Sequence, residues 1–289
     1  MTAADTRPVR CHTMGAMESA QREHTPFADL DNMPPDLHAM LFAALGAMGR
    51  HPEIQRVRKT ALDLLRPMPG QRLLDAGTGT GDVARQLAAE VTETGEVVAL
   101  DFSEMFLAAA RERHDGSPVR YLTGDVSELA LDDDSFDGVW CERVLQHVGD
   151  ADRAIAELAR VTRPGGRVCL IDTDWLSLAF DGVPPDLAAA VLAEMRTRMV
   201  AFQNDMGRTL RRRLVRAGLS DVQATPVTCY FGDPVSAAVV LPMVNPAVPR
   251  DAFMTPDDVR DQWLGEVAQA GERGEFLAVL TIWVTAGVV

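Results

Sequence analysis

Gly77, Gly79 and Gly81 fall on a two-residue spacing directly after the apolar run Leu73-Leu74-Asp75-Ala76, with Thr78 and Thr80 between them and Asp82 behind. Glycines so placed at the end of a buried strand let the main chain pass close to a ligand. The spacing narrows the choice of ligand. A dinucleotide fingerprint needs its third glycine at position 82, and Asp82 at a helix start would repel a pyrophosphate. No Gly-Lys-Ser/Thr follows, so a phosphate loop is excluded. Asp101 closes Val97-Val98-Ala99-Leu100, 24 residues after Gly77, where a carboxylate accepts both hydroxyls of a ribose. Asp125, in Gly124-Asp125-Val126, is placed to take an adenine amino group. Together they describe a site for adenosine without phosphate.

The elements that must hold these residues alternate from Gln71 onward. Strand-like runs lie at Arg72–Asp75, Val97–Asp101, Val119–Leu122, Phe136–Cys141 and Arg167–Asp172. Helix patterns separate them at Asp82–Ala89, Glu104–Arg113, Ser127–Leu131 (weakly) and Asp152–Val161, with Ser103 an N-cap and Arg163-Pro164-Gly165-Gly166 a helix stop and turn. Apolar strands joined by helices predict βαβ crossovers and a parallel sheet covered on both faces, a doubly wound α/β fold. Ahead of it, Leu37–Met48 and the stretch from His51-Pro52 to Leu65 read as two helices. Behind it come a long helical region from about Asp186 to Ala217 and strands at Val222–Phe231 and Phe276–Val284. Gly232–Gly274, with a helix start at Thr255-Pro256-Asp257-Asp258, reads as a packed lid through Leu241, Met243, Val244, Phe253 and Trp263. The expected division is a mobile tail at 1–26, a helical cap at 27–68 and an α/β domain at 69–289 with a lid at about 232–274.

The chain has 289 residues, 28 Lys plus Arg and 42 Asp plus Glu, and a formal charge of −14. That balance argues against nucleic acid, whose binding is driven by Lys and Arg. Cys11, Cys141, Cys169 and Cys229 are widely spaced, without the pattern of a zinc or redox site. No apolar leader or membrane-length run is visible, so the expectation is a cytoplasmic protein with reduced thiols and no membrane anchor. No His/Asp/Glu set has ligand spacing, so no metal is expected.

A nucleoside that carries a cation in place of phosphate tolerates Asp75, Asp82 and Asp101 nearby, and S-adenosylmethionine is such a molecule. Residues 70–172 resemble a class I S-adenosylmethionine-dependent methyltransferase. The resemblance is carried by Leu-Leu-Asp-Ala-Gly-Thr-Gly-Thr-Gly, Leu-Asp-Phe-Ser, Gly-Asp-Val, Ser135-Phe136-Asp137-Gly138-Val139 and Arg163-Pro164-Gly165-Gly166, in that order. The segment Glu142-Arg143-Val144-Leu145-Gln146-His147-Val148 is similar to ubiquinone/menaquinone C-methyltransferases and to small-molecule O- and N-methyltransferases of bacterial specialised metabolism. The resemblance implies a Rossmann-like seven-stranded sheet whose last strand is antiparallel. It also implies S-adenosylmethionine as cofactor and S-adenosylhomocysteine as product. Among the site residues, Gly77, Thr78 and Gly79 would meet the methionyl moiety, with Asp75 also counted in the cofactor site, and Asp101 the ribose. Phe102 would lie on the adenine face, Asp125 and Val126 at its edge, and backbone near Cys141–Arg143 would close the pocket. For Phe102, core packing stands level with stacking.

A hydroxyl or phenol acceptor must lose its proton, and an imidazole near its reference pKa suits that task. His147 follows the fourth strand at the ligand-binding edge, and Asp172 or Asp174, ending the fifth, could stand beside it as its orienting carboxylate. The alternative for His147 is a loop cap. The other histidines read as surface residues, with His38 or His51 able to face the pocket if the first helices fold over it. Asp132-Asp133-Asp134 reads as a solvated loop and Arg211-Arg212-Arg213 as a solvent-facing helix stretch. Met195, Met199, Phe202 and Met206 read as core or as a pliable substrate wall. Trp175, Phe180, Tyr230 and Trp263 are candidates, as a group, for an acceptor pocket. The expected activity is methylation of a small, fairly apolar metabolite, at oxygen first, with C-methylation of a quinone or polyketide or N-methylation behind it. A cyclase, hydroxylase or decarboxylase that keeps the nucleoside remains open, as does a binding module without turnover. The partner is a small-molecule acceptor; a homodimer is open.

Overall fold

Two helices come first in the computed structural model, which describes residues 35–198, 203–248 and 257–289. The expected tail at 1–26 lies outside the described residues, as do Met199, Phe202, Phe253 and Thr255-Pro256. The helices are α1 (Pro35–Arg50) and α2 (Pro52–Leu65). His51 divides them: its Nδ1 accepts from Glu53 N at 3.2 Å and caps α2, whose Pro52 has no N–H to offer. Ile54, Val57, Ala61 and Leu65 recur at helical spacing and are buried.

The alternating region is β1 (Arg72–Ala76), α3 (Asp82–Val91), β2 (Glu96–Asp101), α4 (Glu104–Glu112), β3 (Val119–Thr123), β4 (Phe136–Glu142), α5 (Ala151–Val161) and β5 (Thr162–Asp181). Then follow α6 (Pro185–Arg198), α7 (Met206–Arg216), β6 (Ser220–Phe231), α8 (Pro234–Val240), α9 (Asp257–Glu272) and β7 (Leu277–Val288). Seven strands form one sheet in the order β3-β2-β1-β4-β5-β7-β6. The first five pair in parallel, and β7 runs antiparallel to both β5 and β6. Leu73 and Leu87 belong to one apolar cluster and Leu74 and Ile155 to another, so alternate residues of β1 feed cores on opposite faces.

Several elements depart from expectation. Ser127–Leu131 is a turn, because Asp125 Oδ1 takes Ser127 N at 2.7 Å and diverts the chain from a helix. The helical region from 186 to 217 is two helices. Asn204 Nδ2 donates back to Arg196 O at 3.0 Å, and Gly207 brings α7 so near β5 that a Cβ there would lie 2.5 Å from Asp172 O. β5 starts at Thr162, immediately after α5, where a turn at Arg163–Gly166 was expected. It continues past Asp172 across an irregularity between Asp174 and Ala179. Arg211 and Arg212 are exposed, but Arg213 pairs with Asp152 at 2.5 Å.

Of the described residues in 232–274, Leu241, Met243, Val244 and Trp263 are buried. Trp263 is fully buried, its Nε1 donating to Met243 O at 2.7 Å. Its ring meets Phe180 edge-on at 5.0 Å. His51, expected at the surface, is buried and bonds Ser236 Oγ through Nε2 at 2.9 Å, joining α2 to α8. Among the described residues no helix is long and apolar enough to cross a membrane.

Candidate functional site

The register Asp75↔Ala99, Asp75↔Trp140 and Glu142↔Ile171 brings the carboxyl ends of β1, β2, β4 and the middle of β5 to one rim. The glycine loop is pinned there. Gly77 N and Thr78 N both donate to Leu100 O, at 2.7 and 2.9 Å. Asp101 Oδ2 accepts from Gly79 N at 2.8 Å and its Oδ1 from Ser103 N at 3.0 Å, so one buried carboxylate ties the loop to the start of α4. Gly77 has φ +78°, and a Cβ on it would overlap Val144 Cγ2 and come within 3.3 Å of Val144 Cβ. Gly79 has φ +53°, and a Cβ there would meet nothing within 4 Å.

That open space in front of Gly79 adjoins two further features. Asp101 is one, a side chain of the type that accepts hydroxyls, tied to the loop through Gly79 N. Phe102, next to it, is 53% exposed and absent from both cores, which sets aside the core-packing reading and leaves its ring face accessible. The residues present therefore fit a ribose with an aromatic base beside it. Asp125 is exposed beyond β3 with Oδ1 committed to Ser127 N, whereas the Val126 and Cys141 side chains are core. From those two positions only main chain can line a pocket. Asp75 lies beneath the loop, accepting from Thr78 Oγ1 at 2.6 Å; burial pushes its carboxyl up to about 7.

Beyond β4 the site changes character. Glu142 is almost fully buried and accepts from Arg58 Nε at 2.9 Å and Nη2 at 3.2 Å, and from Arg143 Nη2 at 3.2 Å. Burial pushes the Glu142 carboxyl up, but the two guanidiniums outweigh it and the net shift is downward. Arg143 sits in the left-handed region at φ +56°, its N–H donating to Ile171 O at 2.7 Å and its Nη1 to Met48 Sδ of α1. Its Nε is buried and has no hydrogen-bond partner.

His147 is half-buried on a short 3₁₀ turn, Leu145–His147, that follows. Asp172 Oδ2 accepts from Gln146 N at 3.1 Å and Oδ1 from Thr173 N at 3.0 Å. Both oxygens of the buried Asp172 carboxyl thus accept main-chain N–H groups, one of them from the turn that carries His147. Burial pushes Asp172 up to about 7. Asp174 is taken by Arg208 at 2.6 Å. Trp175 Nε1 donates to Gln146 Oε1 at 2.9 Å, so this aromatic does belong to the turn. Phe180 and Trp263 pack on each other and, with Trp175, belong to one apolar cluster, while Tyr230 is 59% exposed and outside it, so the four do not form one pocket.

Arg58, Glu142 and Arg143 escaped the sequence reading as site residues. A signal did exist for Arg58: it shares the buried stripe of Ile54, Val57, Ala61 and Leu65, and a guanidinium on such a stripe requires a buried counter-charge.

Residues 74–170 match the family described as "Methyltransferase domain". An "Uncharacterized 37.1 kDa protein in transposon TN4556" of Streptomyces fradiae is 34% identical over 229 residues, 78% of this chain and 65% of that protein. The 2-phytyl-1,4-naphtoquinone methyltransferase of Synechocystis is 41% identical over 108 residues, 36% of this chain and 45% of that protein. The chain thus spans less than two thirds of the length of both relatives. Among solved structures, a phosphoethanolamine N-methyltransferase of Haemonchus contortus in complex with S-adenosyl-L-methionine superposes with a TM-score of 0.57 at 20% identity. It covers 87% of this chain and 57% of that one, a likeness of fold alone.

Proposed function

We propose that this chain, which belongs to the class I S-adenosylmethionine-dependent methyltransferases, moves the methyl group of S-adenosylmethionine onto an oxygen of a small, fairly apolar acceptor. The observation that carries the reading is the open space before Gly79, flanked by the Asp101 carboxylate and the exposed Phe102 ring. When bound, the cofactor supplies a methyl carbon already activated by its sulfonium. Asp101 holds the ribose hydroxyls, Phe102 covers the adenine, and the main chain of Gly77–Gly79 meets the methionyl end. Asp125 and the backbone of Val126 edge the base.

On the acceptor side, His147 takes the hydroxyl proton, while Asp172 fixes the turn that carries it by accepting Gln146 N. The bound cofactor would supply the methyl carbon and accept the electrons of its carbon–sulfur bond, while His147 would hold the acceptor's proton and pass it to water. Holding the two reactants in line is the chain's main contribution, worth about 7–11 kcal/mol when orientation is complete. A second reading, C-methylation of a quinone-like ring, is supported by the likeness to the naphthoquinone methyltransferase, which spans 36% of this chain.

Calorimetry with S-adenosylhomocysteine, followed by turnover on a panel of hydroxyarenes and hydroxyquinones with products read by NMR, tests both. Saturable heat and an O-methyl product are expected; a C-methyl product selects the second reading, and no heat rejects both. His147→Ala should lower kcat by about 10²–10⁴-fold and leave S-adenosylhomocysteine affinity unchanged. Full turnover by that variant removes the base.

A further inference from the structure

We infer that Arg143 recognises an ionised oxygen of the acceptor, the oxyanion of an acidic phenol or enol, and so selects acceptors of that class. The inference rests on the methyl-transfer reading above and specifies its substrate.

Its first support is an unfilled donor. Arg143 spends Nη2 on Glu142 and Nη1 on Met48 Sδ, a weak acceptor, and its buried Nε donates to nothing. Leaving such a donor unmet costs about 1–3 kcal/mol, and a buried polar atom without a partner calls for one that arrives with the ligand. The second support is charge. Arg58 and Arg143 converge on the single carboxylate of Glu142. Asp75 and Asp172, the other acids nearby, are held by burial at about 7 and carry only part of a charge at neutral pH. Two guanidiniums therefore share one carboxylate that burial has not neutralised, a field that favours a further anion beside Arg143.

Position decides which anion. Val144, the next residue, stands against Gly77, so Arg143 lies beside the glycine loop. The two guanidiniums divide the rim, however. Arg58 pairs with Glu142 from α2, whereas Arg143 N donates to Ile171 O of β5, one residue before Asp172, which accepts from Gln146 N of the His147 turn. Arg143 therefore faces the acceptor and not the methionyl carboxylate. Its backbone agrees. A non-glycine residue at φ +56° costs about 1–2 kcal/mol, and a plain turn would place glycine there. The bond from Arg143 N to Ile171 O fixes the strained geometry that aims the side chain. A guanidinium so placed favours ionisation of the acceptor's hydroxyl, so that the proton passes to His147 and the oxygen is held as the anion, the better nucleophile.

The test uses the full chain saturated with S-adenosylhomocysteine and two probes, 2-hydroxy-1,4-naphthoquinone, whose visible band reports ionisation, and its neutral methyl ether. Wild type should bind the ionised probe about tenfold or more tighter than the ether. Arg143→Gln should erase that preference with S-adenosylhomocysteine affinity unchanged, and Arg143→Lys should restore part of it. No preference in wild type, no binding of the ionised probe, or a preference that survives in Arg143→Gln overturns the inference. So does a loss of affinity for S-adenosylhomocysteine but not for 5′-methylthioadenosine in Arg143→Gln, which would assign the guanidinium to the cofactor's carboxylate. Absence of heat with S-adenosylhomocysteine fails the cofactor reading instead, and the probe comparison is then read in the same way without it.

Discussion

Alanine at Gly77 and alanine at Gly79 should separate the two demands on the glycine loop, folding and ligand approach. Both residues have positive φ, so each substitution carries a backbone cost of about 1 kcal/mol. The surroundings differ. At Gly77 the new methyl would interpenetrate Val144, lying well inside the ~3.5–4.0 Å at which carbons attract. Val144 is held by the turn behind it, whose His147 N donates to Val144 O at 2.8 Å, so overpacking adds about 1–3 kcal/mol. The total of roughly 2–4 kcal/mol, at about 2 °C per kcal/mol for a chain of this size, should lower Tm by roughly 4–8 °C. At Gly79 the methyl meets nothing in the free protein, so Tm should fall by only ~2 °C. The same methyl would occupy the space assigned to the cofactor, at a cost of about 1–3 kcal/mol, or about fivefold to 150-fold in affinity. Thermal unfolding without ligand and calorimetry with S-adenosylhomocysteine read the two quantities apart. If Gly79→Ala binds within twofold of wild type, the ligand does not lie before Gly79; if Gly77→Ala melts like wild type, the contact with Val144 does not constrain the loop.

Other substitutions probe the acids and the ring. Asp75 carries a carboxyl raised by burial from 3.8 to about 7, so the folded state binds the proton more tightly than the unfolded one. Stability should therefore fall as pH rises from about 4 to 7, and Asp75→Asn, which still accepts from Thr78 Oγ1, should recover on the order of 3 kcal/mol at pH 8 and flatten that slope in urea titrations. An unchanged slope would show the raised carboxyl is not felt in unfolding. Glu142→Gln strands two buried guanidiniums and should cost about 3–5 kcal/mol in the same titration at constant m; a loss under 1 kcal/mol would mean water reaches the pair. Phe102→Ala should change stability by no more than ~0.5 kcal/mol, the ring being half exposed, yet weaken S-adenosylhomocysteine by about 1–3 kcal/mol through lost stacking. Equal affinity would remove Phe102 from the adenine site.

The parallel half of the sheet was readable because burial on two faces writes itself into continuous apolar runs, and because its turns need particular residues. Ser103 is such a case: its Oγ accepts Phe106 N at 3.3 Å and caps α4 at the expected place. Where side chains compete locally for the backbone, periodicity misled. Asp125 captures Ser127 N and removes a helix, and Asn204 turns back to Arg196 O where a single helix was expected. The positions of Asp101 and Phe102 were legible because they follow from one strand's end. The partner of Asp172 was not: which neighbour a carboxylate reaches depends on register across β4 and β5, and the register places Asp172 under main-chain N–H groups.

Arg58 and Glu142 carry the deeper reason why the acceptor side stayed hidden. Their ion pair joins the first helices to the end of β4 across 84 residues of sequence, and no local pattern encodes such a contact. Yet a buried pair contributes little net stability after desolvation, so two charges are poorly explained as glue. A well-packed apolar pair would join α2 to the sheet at least as firmly. What the pair does supply is a fixed field: it neutralises Glu142 with one guanidinium, pins the carboxylate, and leaves that of Arg143 only partly balanced beside the His147 turn. His51 extends the same coupling outward, since it caps α2 and bonds Ser236 in the 232–274 stretch. Arg58, Met48 and His51 lie outside the matched stretch 74–170, whereas Glu142, Arg143 and the glycine loop lie within it, so the cluster joins the matched stretch to its flanks. If Arg143 selects the acceptor as inferred above, relatives that differ at Arg143, or at its neighbours Arg58 and Met48, should differ in the acceptors they take.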